Sequence, residues 1–108
     1  MKKAKRTRLE ARGWRVGSAA EFLGLSAEEA ALVETKLALS RALRAKRESR
    51  KLTQQQLAER LNSSQSRVAK MEAGDQSVSV DLLLKGLFAL GAKPREIGKT
   101  LQHVEAAA

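Results

Sequence analysis

The segment Leu52–Gly74 reads LTQQQLAERLNSSQSRVAKMEAG and predicts two short helices joined by a tight polar turn. Thr53 is a good N-cap residue, and Gln56 three positions later completes a capping box of the Thr-x-x-Gln type. The apolar positions that follow at helical spacing are Leu57, Ala58 and Leu61. The first helix is therefore expected to begin just after Thr53.

A second helix is expected directly after the polar turn. Asn62, Ser63 and Ser64 interrupt the apolar pattern, and Gln65 begins a new stretch in which the next buried positions are expected to be Val68 and Met71. Gly74 is a natural left-handed stop. Two short helices joined in this way form a helix-turn-helix, whose second helix can lie in the major groove of DNA.

The segment resembles the helix-turn-helix of phage-repressor and Cro-like proteins, the Xre-type bacterial regulators, over roughly residues 40–101. The residues that carry the resemblance are Gln54 at the start of the first helix, Ala58 at the helix crossing, Val68 and Met71 in the core, and Glu72, Ala73 and Gly74 at the end of the second helix. Asn62 stands where the family usually has Gly, and Asn tolerates the left-handed conformation better than most residues. The resemblance implies an all-α fold, a five-helix lambda-repressor-like DNA-binding domain.

The resemblance also implies which residues touch bases. Gln65, Ser66 and Lys70 match the base-reading positions of the family, on the side of the helix opposite Val68 and Met71. Glutamine can bond to adenine N6 and N7 together, and Lys or Arg favours guanine O6 and N7. The adjacent Arg67 is expected either to read a base or to hold a phosphate.

Other residues of the motif are expected to contact the DNA backbone or to hold the fold. The family uses a glutamine at the position of Gln54 to bind a phosphate, with help from backbone N–H groups at the helix start. Further phosphate contacts are expected from Ser63, Ser64, Arg50 and Lys51. Arg47 and Glu72 match a pair that the family joins in a partly buried salt bridge.

Composition agrees with a nucleic-acid partner and argues against other classes. The 108 residues carry a net charge of +9, which favours binding to polyanions but does not distinguish DNA from RNA or anionic lipid. With no Cys, a single His103 and no clustered carboxylates, we expect no catalytic site, metal or cofactor. No apolar run approaches the ~18 residues of a membrane span, and no secretory signal is evident, so a cytoplasmic protein is expected.

The chain divides into a basic and acidic N-terminal part (residues 1–35), the helix-turn-helix domain (36–103) and a frayed tail (104–108). Seven Lys or Arg lie within residues 1–15, and the acidic collar that follows comprises Glu21, Glu28, Glu29 and Glu34. Residues 13–17 could form a short strand and residues 19–23 a short helix. Ser26 and Glu29 form a second capping box, which opens a helical run to about Lys51. Periodicity does not decide whether that run is one helix or two with a bend near Thr35.

Two further helices are expected after the motif. Ser79 or Asp81 can cap the first, which runs through Leu90. Pro94 suits the first position of the second, which runs towards His103.

A dimeric transcriptional repressor that reads a palindromic operator in double-stranded DNA is the first functional hypothesis. One short helix reads only a few base pairs, so useful specificity usually requires two half-sites. A homodimer contact is expected either in the N-terminal segment or on the last helix, through Ile97, Leu101 and Val104.

The alternative hypothesis is an antitoxin that neutralises a small protein toxin and represses its own operon. The extension over residues 13–34 resembles that of antitoxins encoded beside RelE- or HigB-like toxins. Because such toxins are typically basic, the acidic collar could meet one of them, although helix capping already explains these acids.

Overall fold

The computed structural model describes residues 24–104. The expected strand over residues 13–17, the helix over 19–23 and the final residues 105–108 lie outside this range. Within it the structure contains five helices, which we number α1 to α5: Ala27–Ser49, Gln54–Arg60, Gln65–Ala73, Val80–Ala89 and Pro94–Gln102. The all-α, five-helix prediction is therefore confirmed for the described part of the chain.

Helix α1 is continuous through Thr35, which settles the question that periodicity left open. The capping box at its start is present, because Glu29 N–H donates to Ser26 Oγ at 3.1 Å and Ser26 N–H donates to Glu29 Oε1 at 2.8 Å. Hydrogen bonding from the Ser26 backbone N–H, and secondarily from the Ser26 side chain, lowers the pKa of the Glu29 carboxyl. The Thr35 hydroxyl donates to the Ala31 carbonyl one turn earlier, at 2.8 Å, and so leaves the helix unbroken.

The end of α1 lies two residues earlier than the predicted position near Lys51. The helix stops at Ser49, and Lys51 adopts a left-handed conformation with φ of 58°. Lys51 N–H donates to the Glu48 carbonyl at 3.0 Å, and Leu52 N–H donates to the Arg47 carbonyl at 3.2 Å. This pair of bonds is the Schellman motif, which satisfies the last carbonyls of a helix and reverses the chain.

The same motif ends α2, α3 and α4. The left-handed residues are Asn62, with φ of 53°, Gly74, with φ of 74°, and Gly91, with φ of 93°. The expected tolerance of Asn62 for this conformation is thus confirmed, as is the stop at Gly74. Four sharp reversals of the chain follow, and each one allows the next helix to pack back against the core.

The chain separates into two compact units. One is Lys36–His103, and the other includes the described residues Gly24–Thr35 and Val104. In the first unit every helix or its flanking loop contributes to one core, whose fully buried members include Leu39, Leu43, Leu57, Ala58, Val68, Met71 and Leu83. Helix α4 lies close to this core at Gly86, where a Cβ would be 3.0 Å from Leu43 Cδ1 and 3.1 Å from Met71 Cε.

The starts of α4 and α5 follow two sequence signals. Ser79, rather than Asp81, caps α4, since Leu82 N–H donates to Ser79 Oγ at 3.1 Å. Pro94 occupies the first turn of α5, where its missing N–H costs nothing. Together α1, α4 and α5 support the pair formed by α2 and α3.

Candidate nucleic-acid interface

The start of helix α2 is determined by a capping box, in which the N-cap residue and the third residue of the helix bond to each other. Gln56 N–H donates to Thr53 Oγ1 at 3.0 Å, and Thr53 N–H donates to Gln56 Oε1 at 2.8 Å. The predicted capping box is therefore confirmed. It places Gln54 at the first position of the helix, on the side of the molecule where α3 also starts.

The turn between α2 and α3 fixes the start of α3. After the left-handed Asn62, Ser63 N–H donates to the Ala58 carbonyl at 2.8 Å. Ser64 then caps α3 by accepting a hydrogen bond from Arg67 N–H at 3.2 Å. Ala58 has no exposed surface, so its small side chain lets the two helices pack closely.

One side of α3 is buried and the other is exposed. Val68 and Met71 have no exposed surface, whereas Gln65, Ser66, Arg67 and Lys70 are all exposed. The four residues predicted to read bases thus share the solvent side of the first turns of α3. Their amide, hydroxyl and cationic groups can donate to the base edges and phosphates of a duplex.

A small polar cleft adjoins this face of α3. Its lining includes the hydroxyls of Ser64, Ser66 and Ser77 together with Arg67 and Lys70. No sequence motif indicated a role for Ser77. Its hydroxyl donates to Asp75 Oδ1 at 2.6 Å, and its N–H donates to the same oxygen at 2.8 Å. These bonds lower the pKa of Asp75, with smaller contributions from Lys70 and Lys36.

The residues that were expected to bind phosphates belong to different elements of the fold. Gln54 lies at the start of α2, and Ser63 and Ser64 lie in the turn. The hydroxyl of Ser64 accepts the capping bond of α3 and lies 3.3 Å from Ser66 Oγ.

The two cations before α2 are exposed but have different surroundings. Lys51 lies in the left-handed turn after α1. The guanidinium of Arg50 lies beside the α4–α5 turn, so close that a Cβ on Gly91 would be 2.9 Å from Arg50 Nη2. Arg50 therefore stands against another part of the domain, and proximity in sequence to Gln54 did not reveal this.

Arg47 and Glu72 form a salt bridge between α1 and α3. Arg47 Nε lies 2.6 Å from Glu72 Oε2, and Arg47 Nη2 lies 3.0 Å from Glu72 Oε1. The side chains are only 12% and 4% exposed, respectively. Hydrogen bonding to Glu72 raises the pKa of Arg47, so the guanidinium stays protonated. Arg47 Nη1 also donates to the Leu52 carbonyl at 2.7 Å and so holds the turn before α2.

Hydrogen bonds link this salt bridge to the exposed face of α3. Gln54 Nε2 donates to Glu72 Oε1 at 3.1 Å, and Gln65 Nε2 donates to Gln54 Oε1 at 2.7 Å. No local sequence pattern indicates the contact between Gln54 and Glu72, because the two residues lie on different helices, 18 positions apart. The amide expected to meet a phosphate thus also touches the amide expected to meet a base.

The surrounding charge favours an anionic partner. Residues 36–103 hold 14 Lys and Arg against six Asp and Glu. Within residues 24–104, no three His, Cys, Asp or Glu side chains are grouped so that they could bind a metal ion. In the same range no helix combines the length and the apolar character that crossing a bilayer requires.

Comparison with known families identifies the domain. The family model described as helix-turn-helix matches residues 43–97, which is 55 of the 108 residues. Searches of curated proteins and of solved structures found no match. The matched range contains α2 and α3, the C-terminal end of α1, the whole of α4 and the start of α5. The chain therefore belongs to the Xre-type helix-turn-helix family, and it is a DNA-binding transcription regulator.

Proposed function

We propose that the protein is a dimeric repressor that reads a palindromic operator through the exposed side of α3. The observation that carries this proposal is the exposure of Gln65, Ser66, Arg67 and Lys70 together, on a helix whose opposite side is fully buried. Helices of this kind enter the major groove with their first residues against the base edges. Gln65 is then the residue best suited to recognise adenine.

Backbone contacts would orient α3 in the groove. Gln54 and the turn residues Ser63 and Ser64 lie next to the start of α3, where phosphates flank a helix that occupies the groove. Lys51 would add charge on the same side, and Arg50 would do so only if its guanidinium turned away from Gly91. These contacts would set the register on DNA without distinguishing sequences.

A dimer is proposed because one α3 spans too few base pairs for useful specificity. Leu101 on α5 is 37% exposed and Phe88 on α4 is 46% exposed, so both offer apolar surface to a second copy. Ile97 packs against the core, which makes it a weaker candidate for the contact than Leu101. The N-terminal segment remains the other candidate.

Selection of bound sequences from a pool of random DNA duplexes tests this proposal. We expect a palindromic consensus whose half-sites lie about 10 base pairs apart, centre to centre. A single unpaired half-site would reject the dimer, and the absence of any consensus would reject sequence-specific reading.

A second candidate function, that of an antitoxin, is favoured by a different surface. Before the family-matched range, α1 exposes Leu32 (53%) and Val33 (42%), near the acidic residues Glu28 and Glu34. Apolar side chains flanked by carboxylates suit a basic protein partner. A small basic protein that co-purifies with the wild-type chain, and that is lost when Leu32 and Val33 are replaced by Ser, would support this function. Unchanged co-purification would reject this surface.

A further inference from the structure

We infer that Glu72 is a positioning residue for base recognition. It determines the orientation of the Gln65 amide, that is, how its carbonyl oxygen and its NH₂ group are placed relative to the DNA. This inference rests on the proposed function of Gln65. It assigns to Glu72 a second role beyond its salt bridge with Arg47. The effect passes through Gln54, which touches both Glu72 and Gln65.

The first step is the chemistry of the Glu72 carboxylate. A carboxylate only accepts hydrogen bonds, and the guanidinium of Arg47 donates to both oxygens of this one. Gln54 therefore has to turn its NH₂ group, and not its carbonyl, towards Glu72. The observed contact from Gln54 Nε2 to Glu72 Oε1, at 3.1 Å, has this orientation.

The second step follows at the other end of the Gln54 amide. With its NH₂ group turned to Glu72, Gln54 offers its carbonyl oxygen to Gln65 at the start of α3. Gln65 must then donate to it, and Gln65 Nε2 lies 2.7 Å from Gln54 Oε1. A single buried charge thus fixes the orientation of two successive amides, which a neutral partner at position 72 could not do.

The third step concerns what Gln65 presents to a base. Its carbonyl oxygen and its second amide hydrogen remain for recognition, with their positions fixed relative to α3. Adenine donates through N6 and accepts through N7. The carbonyl oxygen of Gln65 can accept from N6 while its free N–H donates to N7. An amide turned the other way would exchange the two groups and lose this match, so adenine would no longer be preferred over guanine.

An experiment on the DNA-free protein tests the orientation itself. In a nitrogen–proton NMR spectrum, each glutamine side chain gives two amide-proton signals. A hydrogen bond made by one of the two protons shifts its signal and increases the separation between the pair. We expect a larger separation for Gln65 than for the exposed Gln55 of α2, and we expect Glu72→Gln to change the Gln65 signals. The matched control Glu59→Gln, at an exposed position of α2, should leave them unchanged. Unchanged Gln65 signals in a folded Glu72→Gln variant would overturn the inference.

A second variant covers the case in which Glu72→Gln fails to fold. Arg47→Met combined with Glu72→Gln leaves no unpaired buried charge, which folded proteins tolerate better than half of an ion pair. It still removes the acceptor-only group beside Gln54, so the same change in the Gln65 signals is expected. No change in these signals would again contradict the role assigned to Glu72.

Selection from random DNA duplexes tests the consequence for recognition. The base position read by Gln65 is the one that loses its preference in Gln65→Ala. At this position the ratio of selected adenine to guanine should fall about tenfold in Glu72→Gln and in Gln54→Met. The control Glu59→Gln should leave the ratio unchanged. A lost phosphate contact at Gln54 would instead weaken binding to all sequences equally. Full adenine preference in both variants would overturn the inference while leaving the proposed function intact. If Gln65→Ala relaxes no position, the base-reading role proposed for Gln65 fails, and the amide signals still decide the orientation.

Discussion

Replacing Arg47 by Met should lower the free energy of unfolding by about 3–5 kcal/mol. The substitution keeps a long apolar stem but removes the guanidinium that bonds to both oxygens of Glu72. It also leaves the Leu52 carbonyl without its donor, which lies 2.7 Å away in the wild type. For a domain stabilised by about 5–15 kcal/mol, this is a large fraction of the total.

The magnitude follows from burial. The Glu72 side chain is only 4% exposed, so water cannot replace Arg47 as a partner for the carboxylate. Gln54 would remain as a donor to Glu72, but a neutral amide offsets little of a buried charge. Replacing both partners at once, by Met at position 47 and Leu at position 72, should cost less than Arg47→Met alone, because no unpaired charge is then left in the core.

Urea-induced unfolding of the wild type and these variants measures the difference, provided that the slope of stability against urea stays constant. Arg44→Met is a matched control on the same helix. Arg44 pairs with Glu48 at 3.1 Å, but both side chains are more than half exposed, so the loss should stay below about 1 kcal/mol. Equal losses for Arg47→Met and Arg44→Met, or strict additivity in the double variant, would refute the explanation by burial.

Three further predictions concern single positions. Gly74→Ala should destabilise the fold more than Gly24→Ala in urea unfolding: both glycines have φ near +70°, but a Cβ at Gly74 would lie 2.7 Å from Leu37 Cδ2, whereas Gly24 has nothing within 4 Å. Equal losses would contradict this steric difference. Ser40→Ala should raise stability by up to about 1 kcal/mol, because its buried hydroxyl has no hydrogen-bond partner among the described residues; a loss of stability would show that the hydroxyl is satisfied. Asp75→Asn should cost stability at pH 7, because a carboxyl with a lowered pKa stabilises the fold while it is ionised. The difference from wild type should begin to shrink as the pH falls to about 4, the ordinary pKa of an aspartate, and should disappear below the lowered pKa of folded Asp75. A difference that stays constant from about pH 5 to about pH 2 would contradict that reasoning.

Local chemistry made much of the fold predictable. The capping boxes at Thr53 and Ser26 depend on residues three positions apart, which a sequence displays directly. The left-handed turns at Asn62 and Gly74 depend on one residue type each. Signals that depend on a few neighbouring residues determine where a helix starts or stops. The C-terminal end of the long helix α1 has no such signal. Lys51 takes the left-handed position there without being Gly or Asn, so the stop at Ser49 left no mark in the sequence.

Contacts between helices were harder to predict, because they depend on how α1, α2 and α3 pack. The resemblance to the family supplied the pairing of Arg47 with Glu72. Nothing in the sequence indicated that Gln54 would also bond to Glu72, or that the guanidinium of Arg50 would lie beside Gly91. The exposed side of α3 was easier to predict, since it follows directly from the buried positions of one short helix.

The central claim is that α3 reads bases and that Gln65 is its principal reader. The most direct measurement compares sequences selected from random duplexes by wild type, Gln65→Ala and the matched control Gln55→Ala, with affinities measured at one fixed salt concentration. Gln65→Ala should relax one base position in each half-site and weaken binding to the wild-type consensus by about 1–3 kcal/mol, while Gln55→Ala should change neither. An equal loss of affinity on all DNA sequences in Gln65→Ala, with the consensus unchanged, would contradict the claim.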